Sequence, residues 1–157
     1  MADAPPAAPG ARSRERILAL DVGGKRIGVA IADETGTIAT PLGYVRRGPG
    51  DLGELRRLVE RWHATRLVVG LPTGLSGREG PQAAAVRAFA EEVAAALGLP
   101  LDYWDERLTT AIAERALSEA GTKRGKRKEQ IDAVAAAIIL QGYLDAARRR
   151  AERRQER

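Results

Sequence analysis

Ile17-Leu-Ala-Leu-Asp21-Val-Gly-Gly-Lys-Arg-Ile-Gly-Val-Ala-Ile-Ala-Asp33 is the stretch whose reading decides the fold. Two runs of small and aliphatic residues, Ile17 to Val22 and Ile27 to Ala32, predict strands. Gly23-Gly24-Lys25-Arg26 between them predicts a tight hairpin turn, with glycine supplying positive φ. Asp21 falls near the end of the first strand, beside that turn. A carboxylate is costly to bury in an apolar strand unless it is paired, protonated or bound to a metal. Its meaning therefore depends on which other acids reach the same point.

Downstream, Thr37 to Arg46 reads as a third strand, and Leu52, Leu55, Leu58, Val59 and Trp62 mark an amphipathic helix over Asp51 to His63. Arg66 to Leu71 suits a buried parallel strand. Pro72 to Gly80 is a glycine-rich loop, and Pro81 opens a helix that Gly98 stops near Leu97. Leu101 to Trp104 gives a fifth strand, followed at once by Asp105-Glu106-Arg107. A helix over Thr109 to Ala120, a basic loop and a last helix from about Glu129 to Arg150 complete the order. Three antiparallel strands leading into parallel β-α units predict an α/β fold, a mixed five-stranded sheet with helices on both faces. Right-handed crossovers bring the later strands beside the first.

The 157 residues are enough for one domain with a substantial core, and 44% of them are hydrophobic. The expected division is a disordered tail over 1–15, a single domain over 16–147 and a basic tail over 148–157. No apolar run approaches the ~20 residues that span a bilayer, and Met1 to Arg16 has no hydrophobic signal core, so a cytoplasmic protein without membrane partners is expected. Cysteine is absent and His63 is the only histidine, which excludes thiol nucleophiles, thiolate zinc sites and a multi-histidine metal centre. Any catalysis must rest on carboxylates, Lys, Arg or hydroxyls.

The net charge of +5 is unevenly spread. Gly121 to Lys128 carries +5 and Ala146 to Arg157 carries +4, leaving −4 for the rest. Two such basic patches suit a polyanionic partner, although a solvated loop and tail have the same composition.

In open α/β sheets, sites form beyond the carboxyl ends of the parallel strands. Asp21 ends the first strand and Asp105-Glu106 ends the last. Neighbouring side chains of a strand face opposite ways, so only one of Asp105 and Glu106 can share a crevice with Asp21. Asp132 lies just before the apolar run AVAAAIIL of the final helix. Two roles suit it: complementing the helix dipole, or completing a carboxylate cluster. Three clustered acids repel one another unless cations lie between them, which points to Mg²⁺ or Mn²⁺, hard ions with oxygen ligands.

Four separated motifs make the pattern recognisable: LDVGGKRIGVA, VVGLPTGLSGREGPQ, DERLTT and KRKEQIDAVAAAIILQGYL. In this order, over about Ile17 to Asp145, the chain resembles the bacterial YqgF/RuvX family, linked to pre-16S rRNA maturation and Holliday junction resolution on a ribonuclease H-like fold. The resemblance implies a divalent-metal-dependent nuclease with Asp21, Glu106 and Asp132 as catalytic and metal-binding acids. Asp21 is then the expected bridging ligand where two ions lie about 4 Å apart. One departure is Ala32-Asp33, where relatives often have Ser-Asp.

Lys25 and Arg26 are candidates for steadying a phosphate, or are exposed turn residues. Lys123, Arg124, Lys126, Arg127 and Lys128 are candidates for binding a nucleic-acid backbone beside Asp132. Few aromatic residues argue against an extensive base-stacking platform. The expected substrate is structured RNA, specifically the 5′ end of pre-16S rRNA. Branched four-way DNA is the alternative, and a symmetric homodimer would suit its paired cuts. A non-catalytic nucleic-acid-binding protein with structural acids is the reading from another class. An ATP-binding module of the actin and Hsp70 type would need a second phosphate hairpin, for which the chain has no room.

Overall fold

The computed structural model describes residues 15–72, 79–106 and 124–156. The expected helix over Thr109 to Ala120, Lys123 and most of the glycine-rich loop lie outside them. The elements are β1 (Ile17–Val22), β2 (Arg26–Ala32), β3 (Ala39–Arg46), α1 (Asp51–Trp62), β4 (Arg66–Leu71), α2 (Pro81–Leu97), β5 (Leu101–Asp105) and α3 (Arg124–Gln155).

The five strands form one sheet in the order β3-β2-β1-β4-β5. β1, β2 and β3 are antiparallel neighbours, whereas β4 pairs with β1, and β5 with β4, in parallel. A mixed sheet of this order is what the hairpin followed by β-α units predicted.

Period-two alternation splits the core between the two faces of the sheet. Leu18, Leu20 and Val22 of β1 join Ile27, Val29, Ile31, Leu67 and Val69 against Leu55 of α1 and Ala83, Val86, Ala90 and Val93 of α2. Ile17 and Ala19 point the other way, with Ala30, Ala32 and Val68, against Ala136, Ile139, Leu140 and Leu144 of α3. By the same parity Asp21 belongs to the α3 face. The sheet presents small residues to α3, which lets this helix lie unusually close.

The hairpin turn is closed by Gly23 N–H donating to Arg26 O at 2.8 Å. Contrary to expectation, neither Gly23 nor Gly24 has a left-handed φ. Gly23 is needed for space instead, since a Cβ there would stand 2.9 Å from the Arg26 carbonyl oxygen. The lone histidine has a backbone role: His63 ends α1 in the left-handed region, with φ 54°. Gly98 ends α2 in the same way.

The last helix is longer than expected at both ends. Arg124 to Lys128 lies in helical backbone rather than in a loop, and the helix continues past Arg150 to Gln155. Arg, Lys, Glu, Gln and Ala are all strong helix formers, and no proline interrupts the segment. Among the described residues, no helix is long and apolar enough to cross a membrane.

Candidate active site

Three remote segments carry acids into one neighbourhood: Glu106 bonds Asp21, and the charge of Asp132 is felt there. Asp21 projects from β1 on the α3 face, directly opposite Gly28 of β2 in the ladder. Glu106 follows β5 immediately, with the parity of Trp104, which packs in the α3-face core. Asp132 comes from the third turn of α3.

Two glycines make the convergence sterically possible. A Cβ at Gly28 would overlap the Asp132 carbonyl oxygen and come 2.5 Å from its carbon. A Cβ at Gly70 of β4 would meet Ile139 Cδ1 at 2.5 Å and Glu106 Oε1 at 2.9 Å. These bare backbone positions admit the helix on one side and the glutamate on the other.

Asp21 and Glu106 are joined by a side-chain hydrogen bond. Burial raises the Asp21 carboxyl above its ordinary value; the bond from Glu106 opposes the rise, and the Asp132 charge adds to it. Burial also pushes Glu106 up to about 8, helped by the hydrogen bond and charge of Asp21 and the charge of Asp105. In this pair the bond favours the protonated form of Glu106 and the ionised form of Asp21. A pair of half-buried carboxyls held in this way is an arrangement that a divalent cation would stabilise by displacing the proton.

Asp132 is engaged differently. Arg26 Nε donates to its Oδ2 at 2.6 Å, an ion pair in which both side chains are partly buried. Among the described residues, no three acids stand close enough to grip one ion together. The donor set is nonetheless all carboxylate oxygen, as hard cations prefer, and the guanidinium of Arg26 places a positive charge beside the third acid. Loading an ion on all three requires Asp132 to turn from Arg26 and Glu106 to lose its proton.

The other candidates are placed less tightly. Lys25 is exposed on the hairpin turn. Arg124, Lys126, Arg127 and Lys128 lie along the first helical turns of α3, with Lys128 one turn before Asp132. Sequence reasoning did not anticipate the Arg26–Asp132 pair, because residues 106 positions apart carry no local signal of their contact. A groove of about 520 Å³ between β3 and α1 gathers Glu54, Arg57 and Arg61, away from these acids.

The fold defines the class. Over 85% of this chain and 95% of the other, the structure superposes on "T. thermophilus RuvC in complex with Holliday junction substrate", with a TM-score of 0.52 and 16% identity. The Fowlpox virus resolvase, solved with Holliday junction DNA, gives a TM-score of 0.51 at 9% identity over 84% of this chain and 98% of that one. The molecule therefore has the RuvC-like, ribonuclease H-like α/β fold.

The chain belongs to the RuvX family, described as Holliday junction resolvase, whose model matches residues 15–146. A Moorella thermoacetica protein named "Putative pre-16S rRNA nuclease" is 52% identical over 132 residues, covering 83% of this chain and 94% of that protein. A Chloroflexus aggregans protein of the same name is 49% identical over 138 residues, covering 87% of this chain and 97% of its relative.

Proposed function

We propose that this protein is a divalent-metal-dependent nuclease that hydrolyses phosphodiester bonds in structured nucleic acid, with the 5′ end of pre-16S rRNA as its substrate. The observation that carries the reading is the half-buried, hydrogen-bonded Asp21–Glu106 pair with Asp132 and Arg26 beside it. The names of the RuvX relatives support the RNA substrate.

Asp21, Glu106 and Asp132 would hold Mg²⁺ or Mn²⁺. Such an ion lowers the pKa of a bound water and neutralises charge on the attacked and leaving oxygens. The chain's own part is to organise the site. Asp21, central to the trio, stays fixed by its strand and by its ladder partner Gly28. Glu106 must surrender its proton to become a ligand, so occupancy of the site rises with pH. Arg26, once Asp132 turns away, presents its guanidinium to a phosphate oxygen of the substrate, a charge-assisted contact suited to that group. Lys25 and the basic residues from Lys123 to Lys128 bind backbone phosphates on either side.

The test is cleavage by the purified protein with Mg²⁺ or Mn²⁺, offered pre-16S RNA, single strands and four-way DNA junctions in parallel. Asp21→Asn and Glu106→Gln serve as controls for contaminating nuclease. Metal-dependent cleavage of the RNA that both variants abolish supports the proposal. Preferential, paired cutting of the junction would favour the second reading, a Holliday junction resolvase, which the family description supports. Binding without cleavage under either ion would leave a non-catalytic nucleic-acid-binding protein.

A further inference from the structure

Beyond Leu144, no described residue of α3 is fully buried, and the match to the family ends at residue 146. Yet the helix runs on for about three more turns, to Gln155.

Its arginines form two neighbouring rows. At 100° per residue, Arg149 and Arg153 form one i,i+4 row, and Arg150 and Arg154 form the row beside it. Arg153, Arg150 and Arg154 span about 100° of the helix surface, and Arg149 borders the strip of Asp145, Glu152 and Glu156. Arg148 is paired with Asp145 at 3.0 Å. Among the described residues, none of Arg149, Arg150, Arg153 and Arg154 is in an ion pair; Arg153 Nε only reaches Arg149 O, at 3.4 Å. All four are exposed.

Arg150 and Arg154 also line a groove of about 560 Å³ with Glu15, Ala147, Ala151 and Gln155. Glu15 does not neutralise them, since its carboxylate accepts from Arg66 at 3.0 and 3.1 Å. Like charges at i,i+4 destabilise an isolated helix by a few tenths of a kcal/mol per pair. An anion bridging Arg150, Arg153 and Arg154 would offset that repulsion.

We propose that Arg149, Arg150, Arg153 and Arg154 form a second binding site for the sugar-phosphate backbone of the nucleic-acid substrate, remote from the acids. The inference rests on the nuclease reading and adds a place where flanking substrate is gripped. Seventeen to twenty-two residues of helix separate Asp132 from these arginines, which is roughly 26–33 Å at 1.5 Å per residue. That is close to one turn of duplex, ~34 Å. Guanidinium groups bind phosphate in bidentate fashion and carry no base preference, so the site recognises backbone and not sequence. A substrate too short to reach it is held only by the cations near the acids, Lys25, Arg26 and the basic start of α3.

The experiment measures binding in metal-free buffer, where no cleavage intervenes, over a salt series. The full chain is compared with the fourfold Arg→Gln variant at 149, 150, 153 and 154, and with the fourfold Arg→Lys variant. The probes are a structured RNA of about three duplex turns and a duplex shorter than one turn. Each lost phosphate contact lowers the slope of log K against log salt by about 0.7–0.9, so the Gln variant should lose about 3 from the slope on the long probe. The short probe should show no change, and the Lys variant should keep the long-probe slope. Circular dichroism at matched concentration shows that the helix remains.

An unchanged slope on the long probe overturns the proposal. An equal loss on both probes overturns the claim of a remote site. Capture of an acidic protein with unchanged RNA binding would likewise refute it. If the unaltered chain binds neither probe, the nuclease reading itself fails, and that outcome is distinct from the other three.

Discussion

Replacing Gly28 by alanine tests whether the active site depends on how closely α3 approaches the sheet. The added methyl would overlap the Asp132 carbonyl oxygen and lie 2.5 Å from its carbon, where real Cβ atoms essentially never come closer than 3.0 Å. Both partners are backbone, of a central strand and of a long helix, so no side chain can swing clear. Relief requires α3 to retreat by about an ångström, within the range where overpacking costs ~1–3 kcal/mol. We take the upper end, about 3 kcal/mol, because two regular elements must part. For a chain of this size each kcal/mol lowers Tm by ~2–4 °C, so a fall of about 6–12 °C is expected.

The same retreat carries Asp132 away from Asp21 and Glu106, and a misplacement of ~1 Å in a catalytic constellation can cost about 100-fold in rate. Differential scanning calorimetry and single-turnover cleavage at saturating Mn²⁺ read the two effects on one preparation. Gly24→Ala is the matched control, because nothing lies within 4 Å of a Cβ at that turn position. A Gly28→Ala protein with unchanged Tm and full cleavage would refute the close-approach argument. A fall in Tm with undiminished cleavage would separate helix packing from catalysis.

Asp21→Asn should abolish metal-dependent cleavage, by ~10³-fold or more, while nucleic-acid binding in metal-free buffer stays within a factor of a few; retained turnover would remove Asp21 from the machinery. For pH, the sign follows from Glu106, whose folded value of about 8 lies above its ordinary 4.5. The folded metal-free protein binds the extra proton between those limits, so this group's stabilising contribution is full below about 4.5 and is lost as pH rises through about 8. Chemical denaturation without metal should show that decline, Glu106→Gln should flatten it, and calorimetric metal binding should release protons and strengthen with pH.

Arg26→Met removes the cation that Asp132 now holds, so metal titration should show tighter ion binding while the Kd for nucleic acid rises. Weaker ion binding would mean that Arg26 chiefly positions Asp132. Asp33, lowered to about 2 by N–H groups of Ile38 and Thr37 and the Thr35 hydroxyl, should stabilise the β2–β3 turn above its ordinary 3.8 and lose that effect as pH falls through about 2. Asp33→Asn should weaken the acid dependence of unfolding seen by fluorescence, and an identical acid limb would refute the assignment.

The strands were legible because their signals are local. Arg66–Leu71 and Pro81–Leu97 begin and end where the apolar run, Pro81 and Gly98 say they should. The pairing of Asp21 with Glu106, with Asp132 nearby, was legible for a different reason, since strand ends and the last helix both address the same edge of an open sheet. The parity of Ala19 and Asp21 against Gly28, Ala30 and Ala32 was also there to be read, and it marks the face that α3 covers. What stayed hidden was non-local or compositional. The Arg26–Asp132 pair depends on side-chain directions in two remote elements. The true ends of α3 were missed because a basic segment reads equally as a loop, a tail or a helix until its neighbours are known.

The placement of α3 also sets when the carboxylate trio can exist. Asp21 and Glu106 are made well before the helix that carries Asp132 and covers Ile17, Ala19, Ala30 and Val68. At ~5–20 residues per second, the forty-nine residues from Glu106 to Gln155 take roughly 2–10 s to synthesise. Until they emerge, one face of the sheet is bare and the acids number two. Asp132 and the cover of the second sheet face are thus the last parts of the described domain to be synthesised.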